Sequence, residues 1–213
     1  MQIKPFIFTS VTLATFLNAT PHTNHHSQNA NCDFQAIQKQ AKTPSEEVNS
    51  LMHAPMMCSP WIESKNIEVD FLSNMIPHHQ GAILSSEAFL KYAQNPQLIK
   101  IAKEIISSQK QEIEQFQELL KKIDRKESQN YQKFALQAKA DMHKMMQAMH
   151  QAHPSENIEK DYMLAMIAHH QGAIDASKQV LEHTQNQEVI RFAKEIISAQ
   201  EKEIQEFKTL LKQ

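Results

Sequence analysis

Two copies of one short string carry the side chains best suited to chemistry: His78-His79-Gln80-Gly81-Ala82-Ile83 and His169-His170-Gln171-Gly172-Ala173-Ile174. Met75 precedes the first histidine pair by three and four residues. Met166 stands in the same relation to the second pair, with Met163 a turn further back. Positions three and four apart share a helix face, so each methionine lies beside a histidine. Adjacent histidines diverge by about 100°, so one ring of a pair can bind while the other turns to a neighbouring helix. Thioether sulfur is a soft ligand suited to Cu(I), and imidazole serves both copper oxidation states. Zinc calls instead for cysteine, histidine and carboxylate. The pattern predicts copper, with Cu(I) preferred and Cu(II) admissible.

The distribution of methionine widens the case. Apart from Met1, every methionine lies within residues 52–75 or 142–166, and none within 97–122 or 187–212. Methionine used as ordinary core filler would be scattered through all the helices. Instead Met52, His53 and Met56 (with Met57) cluster ahead of the first His-His pair. Met142, His143, Met145, Met146, Met149 and His150 cluster ahead of the second, with His153 beyond. All but Met57 and His153 are taken as candidate ligands. A methionine-lined groove gripping a protein partner is the rival reading of 142–149, but it leaves the interleaved histidines unexplained.

A repeat must position these groups. Asn66-Ile67-Glu68 recurs as Asn157-Ile158-Glu159, Ala102 to Ser107 recurs as Ala193 to Ser198, and the offset stays at 91 residues (His169 against His78) to the C-terminus. Each copy reads as a helical hairpin, capped by Asn66 or Asn157 and broken near Asn95-Pro96 or Asn186-Gln187. At those breaks asparagine also tolerates the left-handed position that ends a helix. Counting outward from Asn95 sets residue 79 level with about residue 111. His78 and His79 then face Gln109 and Glu112, and His169 and His170 face Gln200 and Glu203. These four polar residues are expected to support the ligands from behind. A histidine–glutamine–glutamate layer that only fixes helix register is the plainer alternative. Gly81 and Gly172 are poor helix formers, and their recurrence predicts close approach of another backbone or a ligand.

Upstream, Thr43-Pro44-Ser45-Glu46 is a capping box that opens a helix toward Met52, with Pro55 expected to stop it. In the second half a helical pattern runs from Tyr131 to Pro154. The expected fold is all-α: two tandem hairpins packed as one four-helix, ferritin-like bundle, with additional Met/His-rich helices.

Only two glycines occur in 213 residues, which excludes a β-rich fold, and the net charge of −2 supplies no grip on nucleic acid or an anionic membrane. Lys4 followed by the apolar stretch Pro5 to Leu17 and by Ala19 reads as a signal peptide, too short to span a bilayer. The organisation expected is therefore signal peptide 1–19, flexible segment 20–42, first repeat 43–123 and second repeat 124–213, with no stable membrane span after cleavage. Export to a bacterial periplasm or beyond favours a Cys32–Cys58 disulfide over Cys58 as a thiolate ligand.

The string Asp70-Phe71, then Met75 to Ile83, followed by Ile105-Ile106, Gln109, Glu112 and Ile113, resembles the family called domain of unknown function 305. The resemblance recurs in the second half and implies tandem copies of an exported, ferritin-like helical type linked to copper handling. By matching positions it implies ligand roles for Met75, His78, His79, Met166, His169 and His170. Three functions are weighed. One is a non-catalytic protein that sequesters copper or passes it to a transfer protein. Another is a ferritin-like metalloenzyme that oxidises metal, and the third is a partner-binding bundle. Di-iron bundles need several inward glutamates and Glu-x-x-His pairs. Only Glu112 and Glu203 approach the seam, so the first function is preferred. Oligomeric state is left open.

Overall fold

The computed structural model describes residues 33–151, 155 and 157–213. Among them are seven helices and no strand: α1 Phe34–Gln40, α2 Pro44–Cys58, α3 Ile67–Phe89, α4 Pro96–Leu120, α5 Tyr131–Gln151, α6 Ile158–Leu181 and α7 Gln187–Leu210. The signal-peptide reading of 1–19, Cys32, His153 and Pro154 lie outside the described residues.

The helix starts follow from side-chain oxygens that satisfy otherwise unpaired backbone donors. Thr43 accepts from the Glu46 amide, while Glu46 Oε2 accepts from the Lys42 amide at 2.7 Å. Asn66 caps α3 and Asn157 caps α6. Asn95 and Asn186 do not close the preceding helices in a left-handed conformation. Both are extended (φ −70° and −72°) and cap α4 and α7 from in front. Two further expectations are corrected. Helix α2 runs through Pro55 to Cys58, because a missing amide removes one hydrogen bond while the Ser59 amide still closes onto the Pro55 carbonyl. Part of the segment expected to be flexible forms α1, which Asp33 caps and which packs its Phe34 and Ile37 against the core.

Helices α3 and α6 cross antiparallel at the centre, each flanked by its hairpin partner. Reciprocal bonds tie the halves. Glu159 on α6 accepts from the amides of Gln94 and Asn95 in the first turn (2.8 and 2.7 Å), and Thr184 after α6 donates to Glu68 on α3 (2.7 Å). Tyr131 at the head of α5 donates to Asp70 on α3, and Ser45 at the head of α2 donates to Asp161 on α6. Each outer helix therefore starts against the opposite half. The core is shared too. Phe89, Leu98 and Ile105 pack with Tyr162, Met166 and Phe207, while Phe71, Leu72 and Phe116 pack with Val180, Phe192 and Ile196. One bundle, not two hairpins, buries these faces.

The symmetry is imperfect at one pair. Tyr162 stacks on Phe89 (ring centroids 3.9 Å apart) and its hydroxyl bonds Ser86 Oγ at 2.8 Å. The equivalent of Tyr162 is Phe71, so the equivalent of Ser86, buried Ser177, has no hydrogen-bond partner.

Candidate metal centre

Between the two apolar halves of the core lies a polar layer. Its histidines sit mid-helix on α3 and α6, far from any helix end that could satisfy them. His79 Nε2 stands 2.7 Å from Glu112 Oε2, and His170 Nε2 stands 2.7 Å from Glu203 Oε2. The hairpin count from the turn thus places these residues as expected, with Gln109 and Gln200 buried beside them. His78 and His169 depart from it. They leave their own hairpins and meet across the crossing of α3 and α6, ring centroids 3.7 Å apart and planes inclined at 34°. His79, His169 and His170 are wholly buried and His78 is 6% exposed. None of the four ring nitrogens of His78 and His169 has a side-chain hydrogen-bond partner, and the His169 backbone lies against the His78 ring.

Methionines flank this layer from both ends. Met75 and Met166, each one turn before its histidine, are buried in opposite halves of the core because the two helices run antiparallel. The glycines explain how the outer helices come close. A Cβ on Gly81 would lie 2.2 Å from the Met52 carbonyl oxygen, and one on Gly172 would lie 2.3 Å from Met145 Sδ. The expected close approach is therefore a backbone at Gly81 and a methionine side chain at Gly172. A cavity of about 70 Å³ between α3, α5 and α6 is walled by Met75, His78, Met142, Met145, Gly172 and Gln179, among others, and leads to the one histidine of the four that keeps any exposure.

Other candidates lie apart or play other parts. Met56, Met149 and Met163 are buried in the apolar core, with Met142 and Met146 partly buried against it. His53 lies with Nδ1 2.6 Å from the Asn49 carbonyl. His143 is exposed, Met57 is 71% exposed, and the His150 side chain is outside the described set. Cys58 carries no free thiol, which removes it as a thiolate ligand; Cys32 is not described. Among the described residues no three His, Cys, Asp or Glu side chains form a group that could hold a metal ion. No zinc or di-iron site of such donors is therefore assembled among the described residues.

Burial holds both His78 and His169 well below the usual imidazole range. Neighbouring histidines push further in the same direction, His79 and His170 on His78, and first His78 on His169. Both rings are neutral near pH 7, the form that ligates metal. For stability, the unfolded chain takes up protons near pH 6.5 while the folded chain resists. The contribution of these rings is complete above about 6.5 and drains as pH falls toward their lowered folded values. Melting of chelator-treated protein between about pH 8 and pH 5 checks this. A melting temperature that falls no more steeply than in a His78→Leu/His169→Leu variant contradicts it.

These features define an all-helical bundle whose interior is crossed by a histidine layer flanked by methionine. One span, residues 68–211, matches the family described as Domain of unknown function (DUF305), and the chain belongs to that family. No curated protein matches it. Among solved structures it is similar to CopM in a silver-bound form obtained by soaking (25% identity, TM-score 0.53, covering 68% of this chain and 94% of that one). It is also similar in fold to CopM in a Cu(II)-bound form (24%, TM-score 0.52, 67% and 94%). A DUF305 fragment from Deinococcus radiodurans shares the fold as well (24%, TM-score 0.50, 68% and 95%).

Sequence reasoning found the residues of this layer but missed the pairing of His78 with His169. The 91-residue repeat signals that equivalent residues can meet across the two hairpins, but not which pair does.

Proposed function

We propose that this protein is exported to the periplasm or beyond and binds copper through its Met/His sites, sequestering it or passing it to a transfer protein, without catalysis. Its two halves act as tandem copies of the family's Met/His type. The observation that carries the reading is the buried histidine layer, whose rings have no side-chain partner beyond the Glu112 and Glu203 pairings, with Met75 and Met166 buried one turn before its histidines. A buried polar atom left unpaired costs about 1–3 kcal/mol, and an ion that ligates it removes that cost. Soft sulfur beside neutral imidazole suits Cu(I) better than zinc. The likeness to silver-bound CopM supports this, since silver(I) is a soft monovalent ion of the same group. Export rests on the Lys4–Ala19 pattern, and the bonded state of Cys58 fits an oxidising compartment.

Titration of the protein with Cu(I) under reducing conditions, in competition with a chelator, tests the reading. Changing Met75, His78 and His79 together to leucine is expected to weaken the tightest binding at least a hundredfold, about 2.7 kcal/mol. Unchanged affinity in that variant, with helicity preserved, sinks it.

A further inference from the structure

We infer that the buried interior is loaded from one side only: a soft monovalent ion enters through the second half, by the cavity between α3, α5 and α6 that Met75, Met142 and Met145 line. The inference rests on the copper reading above and adds to it a route, not another site.

The two halves are built alike but are not closed alike. Phe71, Met75 and His78 on α3 are 5%, 4% and 6% exposed. Their equivalents 91 residues on, Tyr162, Met166 and His169 on α6, are each 0% exposed. The outer helices account for the difference. On the closed side α2 packs Val48, Leu51 and Met52 into the core with Tyr162 and Met166, and its backbone sits against Gly81. On the open side α5 presents Ala135 and Ala138, and it is a side chain, Met145, that reaches Gly172. The space beside those alanines is the cavity of about 70 Å³, equal to the liquid volume of about two waters.

The wall chemistry decides what can use this opening. Several of its polar groups are already engaged. Asn74 holds both the amide and the carbonyl of Ile62, Gln179 donates to the Phe134 carbonyl, and Tyr131 donates to Asp70. Inward, the wall offers thioether sulfur and then the His78 ring. Thioethers exchange readily with soft monovalent ions, but give a hard, strongly hydrated cation little in return for its water. At the mouth, Glu63 of the loop after α2 is tied to Lys139 of α5 at 2.6 Å, both side chains exposed. An exposed pair holds weakly, so the loop can yield to a passing ion.

The test begins without metal. The full chain, chelator-treated, is exposed to dilute hydrogen peroxide, and methionine sulfoxide is followed peptide by peptide. Met75 is expected to oxidise about fivefold faster than Met166 or more, because susceptibility follows access. Ala138→Leu, which fills the cavity, is expected to bring the two rates together. Equal rates in the parent mean no one-sided opening, and the proposal fails whether or not copper binds. Loading with Ag(I) and anaerobic Cu(I) is then timed by stopped flow through the fluorescence of Trp61, the one tryptophan, which lines the cavity. Ala138→Leu and Ala135→Leu are each expected to slow loading and release about tenfold with the dissociation constant unchanged, since a narrowed path alters both rates alike. Leu136→Ala, on the exposed face of α5, is expected to load at the parent's rate. Parent rates in either filled variant that keeps its melting temperature overturn the route and leave the copper reading intact. Affinity lost along with rate makes the cavity a binding site rather than a path, and also overturns it. If the parent binds neither ion, the copper reading falls and takes the route with it.

Discussion

Replacing Gly81 by alanine is expected to destabilise the protein by about 3 kcal/mol, while Gly172→Ala costs about 1 kcal/mol or less. Both positions are mid-helix, so alanine brings the same gain in helix propensity, about 1 kcal/mol. The difference lies in what the new methyl group meets. At Gly81 it falls 2.2 Å from the Met52 carbonyl oxygen and 3.2 Å from the carbonyl carbon, both backbone atoms of α2. Backbone in a packed helix cannot step aside, so α2 as a whole must move off α3, and Met52, wholly buried, loses its seat. At Gly172 the nearest atoms are Sδ, Cγ and Cβ of Met145 (2.3, 2.6 and 3.2 Å), all in one side chain with three rotatable bonds and none in backbone. Met145 can swing toward the adjoining cavity, at the cost of some packing. Urea unfolding of the two variants reads the contrast directly as a shift in midpoint at unchanged slope. Equal losses at the two glycines would mean that α2 is not seated as the structure has it.

The contrast also shows what was legible in the sequence. That both glycines mark a close approach followed from their recurrence at equivalent positions inside helices. Which neighbour approaches did not, because the outer helices α2 and α5 lie outside the register-locked repeat and their docking is set by packing. The hairpins themselves were readable for local reasons: asparagine caps at 66, 95, 157 and 186, apolar periodicity, and a 91-residue offset that never slips. His79 and His170 could be placed by counting outward from a turn, since contacts within a hairpin are fixed by loop position. His78 and His169 could not, because their contact depends on how one hairpin rotates against the other. Helix α2 outrunning Pro55 is a case where packing of Met56 into the core outweighs the loss of one hydrogen bond.

A His78→Leu/His169→Leu variant is expected to be more stable than the parent in the absence of metal, by about 2–4 kcal/mol, and to gain less from Ag(I) than the parent does. Leucine is close to histidine in size, fills the interface of α3 with α6 and brings no polar atom into it. The parent carries four ring nitrogens there without a side-chain hydrogen-bond partner. Their individual costs, about 1–3 kcal/mol each, are not independent on two touching rings, which is why the net expectation is well below their sum. For a chain of this size a gain of 2–4 kcal/mol corresponds to a rise in melting temperature of roughly 5–10 °C. The parent should recover the deficit when Ag(I) is supplied, by about 2.7 kcal/mol at a hundred times its dissociation constant. Opposite signs in the two columns, metal-free and metal-loaded, are what a binding site held at the expense of stability must show. A variant less stable than the metal-free parent would instead make the pair a structural contact between the halves, and the reason for keeping histidine at both positions would have to be sought in packing.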